Sequence, residues 1–404
     1  MDQLQEKYSR LGVDSAPGQE DLQEKIELDI RGEALPGTKV DFSHGDVNAH
    51  IPTPGALDVF IDGYKEGANQ AYTEYRGQKA IREIVAEKLS AFTGSPINAG
   101  TEIIVTPGTQ CALFLAMGAL VGRGDKVAIV EPDYFANRKL AEFFDGDIVP
   151  IQMHYVNAPS GTAGIDLAQL EEAFKNGVKL FLFSNPNNPT GVIYSKEEIA
   201  TIASLAKKYN VSLIVDELYS RQIFDNRPYT HLRAQKEIPE SMVTILGPSK
   251  TESLSGFRLG VAFGSKYIID RMEKLQAIVS LRAAGYCQAV LKTWFNEPEG
   301  FMAARIKEHQ DIRDSILALL KTVPGTSARP TEGGSYLFVE LPELTVSISD
   351  FVKIVRKLTN TTVTTGTEFG PQFTNHFRIN FSQNKDDALD AIKRLLTVME
   401  RYRK

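Results

Sequence analysis

Short apolar bursts recur along the first two thirds of the chain: TEIIVT (101–106), KVAIV (126–130), LFLFSN (180–185), SLIVDE (212–217), VTIL (243–246) and GVAFG (260–264). Their apolar positions run on almost without alternation, which predicts strands buried on both faces. Between them, QCALFLAMGALV (110–121), ANRKLAEFFD (136–145), DLAQLEEAFKNG (166–177) and SKEEIATIASLAKKYN (195–210) carry helical periodicity. Ser195 with Glu198 three positions later has capping-box spacing, and Asn210 supplies the stop. Strand alternating with helix predicts an α/β fold with a mostly parallel sheet flanked by helices.

The texture changes after residue 265, where KYIIDRMEKLQAIVSLRAAGYCQAVLKTWF and GFMAARIKEHQDIRDSILALLKTV read as long helical stretches without intervening strands. Beyond about 325, GGSYLFVELP, FVKIVRKLT, TVTTGTEF, HFRINFS and KDDALDAIKRLLTVMERYRK predict a smaller α+β domain. The expected division is an N-terminal segment (1–50) packed on the small domain, a large domain (51–285) and a small C-terminal domain (286–404).

Composition narrows the function. A chain of 404 residues, 42% hydrophobic and 24% charged, can bury the core an enzyme needs. Its net charge of −6 offers no general attraction to phosphate backbones or anionic lipid, which argues against nucleic acid and membrane partners. The start MDQLQEKYSRLG lacks the apolar centre of a signal peptide, and no 18 apolar residues run together. Cys111 and Cys287 sit in apolar runs without ligand spacing, in keeping with a reducing, cytoplasmic setting. His154, His231, His309 and His376 are scattered, and no metal site is expected.

In an open parallel sheet, ligands collect beyond the carboxyl ends of the strands, and the informative residues fall there in turn. TEIIVT runs into Pro107-Gly108-Thr109-Gln110 and opens a helix, whose free amides and dipole suit a phosphate. EPDYFANRK sets Tyr134 after a proline, where a ring could cover a flat heterocycle. SNPNNPTG (184–191) is a rigid turn rich in side-chain amides. DELYSRQIFD (216–225) places Asp216 at the end of an apolar strand, with Tyr219 three residues on; such a carboxylate requires a cation or strong donors. Last, LGPSKTESLSGFRLG (246–260) presents Lys250 among small residues at a strand end, the position a lysine needs to hold pyridoxal phosphate as a Schiff base.

With these motifs in this order, the chain resembles the class I/II aminotransferases, which are fold-type I pyridoxal-phosphate enzymes, over about residues 40–400. The resemblance implies that Lys250 binds the cofactor pyridoxal 5'-phosphate and moves the proton at the substrate's Cα. Asp216 would pair with the ring nitrogen, Asn188 and Tyr219 would hydrogen-bond the ring oxygen, and Tyr134 would stack on the ring. Gly108, Thr109, Gln110, Ser249 and Arg258 would take the phosphate. FRIN (377–380) resembles the element whose arginine binds the substrate α-carboxylate, which points to Arg378. AYTEYRGQKAIREIVAEKL (71–89) resembles the segment whose tyrosine reaches the neighbouring subunit's phosphate. That assigns Tyr72 and implies a homodimer with shared active sites. Gly45 matches the family's N-terminal glycine over the substrate.

Two departures stand out. Gly247 occupies the position, three before the lysine, where many relatives carry a hydroxyl, and the N-terminal element reads SHGDVNAH, with His44 and His50 flanking the substrate region. Related pyridoxal-phosphate arginine oxidases and desaturases use a histidine from about this segment together with O2. The expected activity is therefore amino transfer from an L-amino acid to a 2-oxo acid, with an oxidase, desaturase or lyase of the same fold as the alternative and a non-catalytic binding protein as a third. Phe42, Tyr72, Tyr155 and Arg221 are the side-chain candidates for specificity, and Arg221 reads either as facing an acidic substrate or as a solvated surface arginine.

Overall fold

The computed structural model describes residues 3–11, 28–66 and 71–404. In chain order its strands are β1 (Val40–Asp41), β2 (Ile103–Thr106), β3 (Lys126–Glu131), β4 (Asp147–Gln152), β5 (Leu180–Ser184), β6 (Ser212–Asp216) and β7 (Met242–Leu246). They continue with β8 (Gly260–Gly264), β9 (Ser327–Ala328), β10 (Tyr336–Glu340), β11 (Thr361–Thr362), β12 (Thr364–Thr365) and β13 (His376–Asn380).

Seven strands form the main sheet in the order β2-β8-β7-β6-β5-β3-β4, parallel except that β8 runs antiparallel to both its neighbours. The unbroken apolar runs are explained by what covers each face. Phe181 and Phe183 pack toward the helices Leu167–Lys175 and Lys196–Tyr209, whereas Leu180 and Leu182 pack toward Thr109–Leu120 and Lys266–Val279. Alternate residues thus enter two different cores, and both must be apolar. The capping box forms as spaced, with Ser195 accepting from the Glu198 amide, and Asn210 ends that helix in the left-handed conformation (φ 55°).

Edge strand β4 was not expected from the sequence, because Pro150 interrupts DIVPIQ. A proline is tolerated there since only one side of the strand is paired, with β3. The stretch 266–295 also departs from the expected long helix: it stops at Val279, Leu281 turns to positive φ (61°), and only short turns follow at Gly285–Gln288 and Ala289–Lys292.

The second sheet, β12-β13-β10-β9, shares a core with the helices Phe301–Leu320, Ile348–Thr359 and Lys385–Glu400. Strand β1 pairs in parallel with β11, and Phe42 is buried in that same core. The helix Gln3–Leu11 is a correction to the expected packing of residues 1–50, for it lies on Phe135–Phe143 beside the main sheet, with Lys7 3.4 Å from Asp145 and over the Phe143 ring. Residues 12–27 of that segment lie outside the described residues. Among the described residues, no helix is long and apolar enough to cross a membrane.

Candidate active site

The carboxyl ends of β2, β5, β6 and β7 converge on a cavity of about 170 Å³. Thr109, Gln110 and Arg258 line one end, Asp216 and Tyr219 another, and Tyr134, Asn188, Ser249 and Lys250 complete it. Lys250 and Ser249 also border an adjoining cavity of about 530 Å³, which His44 and Gly45 line from the N-terminal segment.

The phosphate-type end is built by close backbone approach. Gly108 has φ 87°, and a Cβ there would lie 2.3 Å from Arg258 Nη2. Gly260 is pressed as tightly, with its missing Cβ 2.4 Å from the Gly108 carbonyl carbon, so the guanidinium and two glycines form one cradle. No side chain caps the helix Thr109–Leu120; the Cys111 and Ala112 amides turn back to the Gly108 carbonyl (3.1 and 3.2 Å), which leaves the amides of Thr109 and Gln110, at its first two positions, with no partner earlier in the helix. Gly247, the departure noted in the sequence, has a reason: a Cβ would come within 2.9 Å of Thr109 Cγ2.

At the other end Asp216 accepts from the Leu218 amide (3.0 Å) and lines the same cavity as Lys250. Burial pushes its carboxyl up to about 6, offset in part by the Leu218 amide and Lys250. Tyr219 donates its hydroxyl to Tyr336 at 2.8 Å. Burial holds the Tyr219 phenol well above its usual range; in Tyr336 burial acts the same way, but Lys250 and Arg378 outweigh it and draw that phenol down. Tyr134, raised by burial, donates to Gln110 Oε1 (3.0 Å).

Arg378 enters from β13 on the second sheet. Its Nη1 donates to Asn188 Oδ1 (3.0 Å), and its Nη2 to the Ser43 carbonyl (3.2 Å) and Thr364 Oγ1 (3.4 Å). The guanidinium lies 4.3 Å from the Tyr336 ring centre and 4.9 Å from that of Phe369, and Nε is buried without a partner. A rigid cationic fork with an unused donor suits a carboxylate.

The model of the family described as aminotransferase class I and II matches residues 38–395. The chain belongs to that family. This aminotransferase is 28% identical over 347 residues to the aspartate aminotransferase of Pyrococcus horikoshii, covering 83% of this chain and 86% of that one. Its structure matches the crystal structure of an aspartate aminotransferase from Rhodobacter sphaeroides with a TM-score of 0.93 and 55% identity, over 99% of this chain and 100% of the other. An aromatic aminotransferase from Pyrococcus horikoshii matches with a TM-score of 0.82 over 90% and 96% of the two chains, at 21% identity, a likeness of fold.

Aminotransferases of this class depend on pyridoxal phosphate. The donor set fits that group: a glycine cradle with a guanidinium against it for the phosphate, a half-buried carboxylate short of a cation for the ring nitrogen, and an amine between them.

Tyr72 is not brought to either cavity in the single chain; it is 83% exposed, with the Arg282 guanidinium over its ring. Three of the specificity candidates prove to be structural. Phe42 and Tyr155 are buried in the cores, and Arg221 is neither solvated nor turned to the substrate. Its side chain is only 11% exposed, pairs with Glu252 and Glu297, and lies 3.9 Å from the Phe295 ring centre. His50 is buried, its ring 4.3 Å from that of His309 between centres and tilted 31° to it. His50, His309 and Glu308 bring possible metal-ligand atoms within 4.8 Å. The His309 nitrogens, however, already face the Arg305 carbonyl (2.8 Å) and Ser382 Oγ (2.9 Å).

Four residues of the site escaped the sequence reading. Asp133 takes hydrogen bonds from Ser184 through both its hydroxyl and its amide, and Ser184 Oγ in turn accepts from the Asn188 amide (3.1 Å), so the pair fixes the asparagine turn. Tyr336 and Ser255 line the cofactor-sized cavity. Ser184 was within reach, inside the SNPNNPTG motif; Tyr336, in an ordinary-looking strand 117 residues from Tyr219, carried no local signal.

Proposed function

We propose that this aminotransferase moves the amino group of an L-amino acid to a 2-oxo acid, with Arg378 holding the α-carboxylate of each. The supporting observation is the hydrogen bond from Arg378 Nη1 to Asn188 Oδ1 at 3.0 Å beside the Lys250 cavity. When bound, pyridoxal phosphate supplies the electron-withdrawing ring that weakens bonds at the amino acid's Cα. Lys250 would hold it through Nζ, Asp216 at the ring nitrogen, Asn188 and Tyr219 at the ring oxygen, and Tyr134 at one face. Gly108, Thr109, Gln110, Ser249 and Arg258 would hold the phosphate.

The chain's own residues then have distinct tasks. Arg378 orients the amino acid by its carboxylate, so that the Cα–H bond faces the Lys250 amine. Lys250 Nζ would accept that proton and pass it on within the same half-reaction, acting as base and then acid, and would run the same transfer in reverse for the second substrate. Asp216 keeps a proton on its partner nitrogen. Gly45 and His44 close the substrate side.

The same reading makes the protein a homodimer, with Tyr72 crossing to the partner's phosphate. Leu57, Tyr64, Tyr72, Ile278 and Leu281 are all more than half exposed, which supports an unpaired face around Tyr72. Residues 51–285 serve as the cofactor domain and 286–404 as the small domain, in a cytoplasmic protein.

Aspartate, named in several relatives, is the first donor to test, with 2-oxoglutarate or pyruvate as acceptor. Incubating purified enzyme with single amino acids, with and without acceptor and under air or nitrogen, decides the reaction. Keto acid formation that requires the acceptor is expected. Formation that requires oxygen and ignores the acceptor would establish an oxidase instead.

A further inference from the structure

The N-terminal histidine His44 has no task in the transfer reaction beyond lining the substrate cavity, yet its surroundings are organised around Arg378. Ser43 gives its carbonyl to Arg378 Nη2 (3.2 Å). The Ser43 amide and hydroxyl both donate to Asp41 Oδ1, at 2.9 and 2.6 Å. The other carboxylate oxygen, Asp41 Oδ2, lies 3.5 Å from His44 Nε2, while His44 Nδ1 faces the Gly45 carbonyl at 3.1 Å. Both ring nitrogens therefore face oxygen acceptors, and only a doubly protonated ring can donate to both. Gln383 ties this turn to the end of β13, its amide donating to the carbonyls of Asp41 (3.1 Å) and His44 (2.6 Å).

We infer that Asp41 and His44 act as one positioning unit for Arg378, closing the turn whose Ser43 carbonyl aims the guanidinium at a substrate carboxylate. This rests on the reading of Arg378 given above. Asp41 is held at about 2: burial alone would raise it, but hydrogen bonds from His44 and Ser43 outweigh that. His44 is raised above its usual value by the hydrogen bond to Asp41, against burial and the Lys250 charge. Lys39, Asp46, Lys250 and Asp387 are the other charged groups lining the same cavity, and of these Lys250 opposes the rise. Protonated His44 holds the turn at low pH; as pH rises through its raised pKa one ring nitrogen loses its proton and meets an acceptor, and the turn loosens.

The test uses the holoenzyme and propionate, a monocarboxylate with no amine to react at Lys250, with binding read by titration calorimetry. His44→Ala and Asp41→Asn are each expected to weaken propionate about fivefold, the scale of a part-exposed ion pair, and to raise KM for the amino acid alike with kcat little changed. The double variant should lose no more than either single one, because the two residues act as a unit. Wild-type affinity should fall as pH climbs through the raised His44 pKa, above the ordinary histidine value of 6.5, and His44→Gln should flatten that fall. Normal propionate binding by both single variants, or losses that multiply in the double, overturns the inference. Arg378→Ala separates the two readings. If it binds propionate normally, the assignment of Arg378 itself fails; if it alone loses binding while Asp41→Asn and His44→Ala keep it, only the positioning unit fails.

Discussion

Arg378 on the smaller sheet donates to Asn188 beyond the end of β5, 190 residues away, at 3.0 Å. The bond ties the residue proposed to hold substrate to one proposed to hold the cofactor, so their relative position is set before either ligand arrives. Asn188 is itself fixed through Ser184 and the buried Asp133, which leaves the guanidinium little freedom to swing.

The first prediction concerns this clamp. Arg378→Ala should lower kcat/KM for the amino acid by about 100-fold, the worth of a bidentate charged contact plus lost orientation. Arg378→Lys should recover little of it, since an ammonium cannot form the fork. Steady-state kinetics of the two variants against wild type checks both.

Asp216 makes a prediction about pH. Its folded-state pKa is raised to about 6, chiefly by burial, so without cofactor the native state binds this proton more tightly than the unfolded chain does. Stability of the apoenzyme should therefore fall as pH climbs from the ordinary carboxylate range, about 4, to about 6. Buried Asp133 and Glu252, each raised to about 7, extend the fall upward. Asp216→Asn should melt higher than wild type as apoenzyme at neutral pH, with the gap closing in acid. In the presence of pyridoxal phosphate the order should reverse. Thermal melts across pH, with and without cofactor, carry the test.

Gly108→Ala tests the cradle. The new methyl would meet the Arg258 guanidinium at a position of φ 87°, which side chains rarely adopt. Cofactor affinity, read from visible absorbance, should weaken by about tenfold or more as Arg258 is displaced. A variant with wild-type affinity would show that the phosphate lies elsewhere.

Arg221→Ala is predicted to act on stability rather than on chemistry. It strips the cation from Glu252 and Glu297, and removing one member of a buried ionic cluster costs about 3 kcal/mol. Denaturant unfolding should show the loss at neutral pH, and kcat of the folded fraction should stay near wild type.

What the sequence determined by itself is local or repetitive. Near-continuous apolar runs at 180–185 and 243–246 predict strands with both faces covered, and the Ser195–Glu198 spacing predicts a cap; both form. The order of the strand-end motifs likewise anticipated that their residues would line one cavity with Lys250, because an open sheet gathers its strand ends on one edge. Where competing local signals met, the sequence misled: Pro150 hid an edge strand, and the apolar run at 266–295 hid a helix stop at Val279. Only the tertiary structure decided which charges are buried and what they face. Arg221 reads as surface or substrate-binding until Glu252, Glu297 and Phe295 are folded around it. Nothing within a few residues of Tyr336, Gln383 or Asp41 marks them, since their partners come from segments more than a hundred residues distant or from a turn closed by such segments. Apolar periodicity records a residue's own burial, whereas a polar residue's role depends on which partner the fold delivers, and that information resides in the packing of the two sheets against each other.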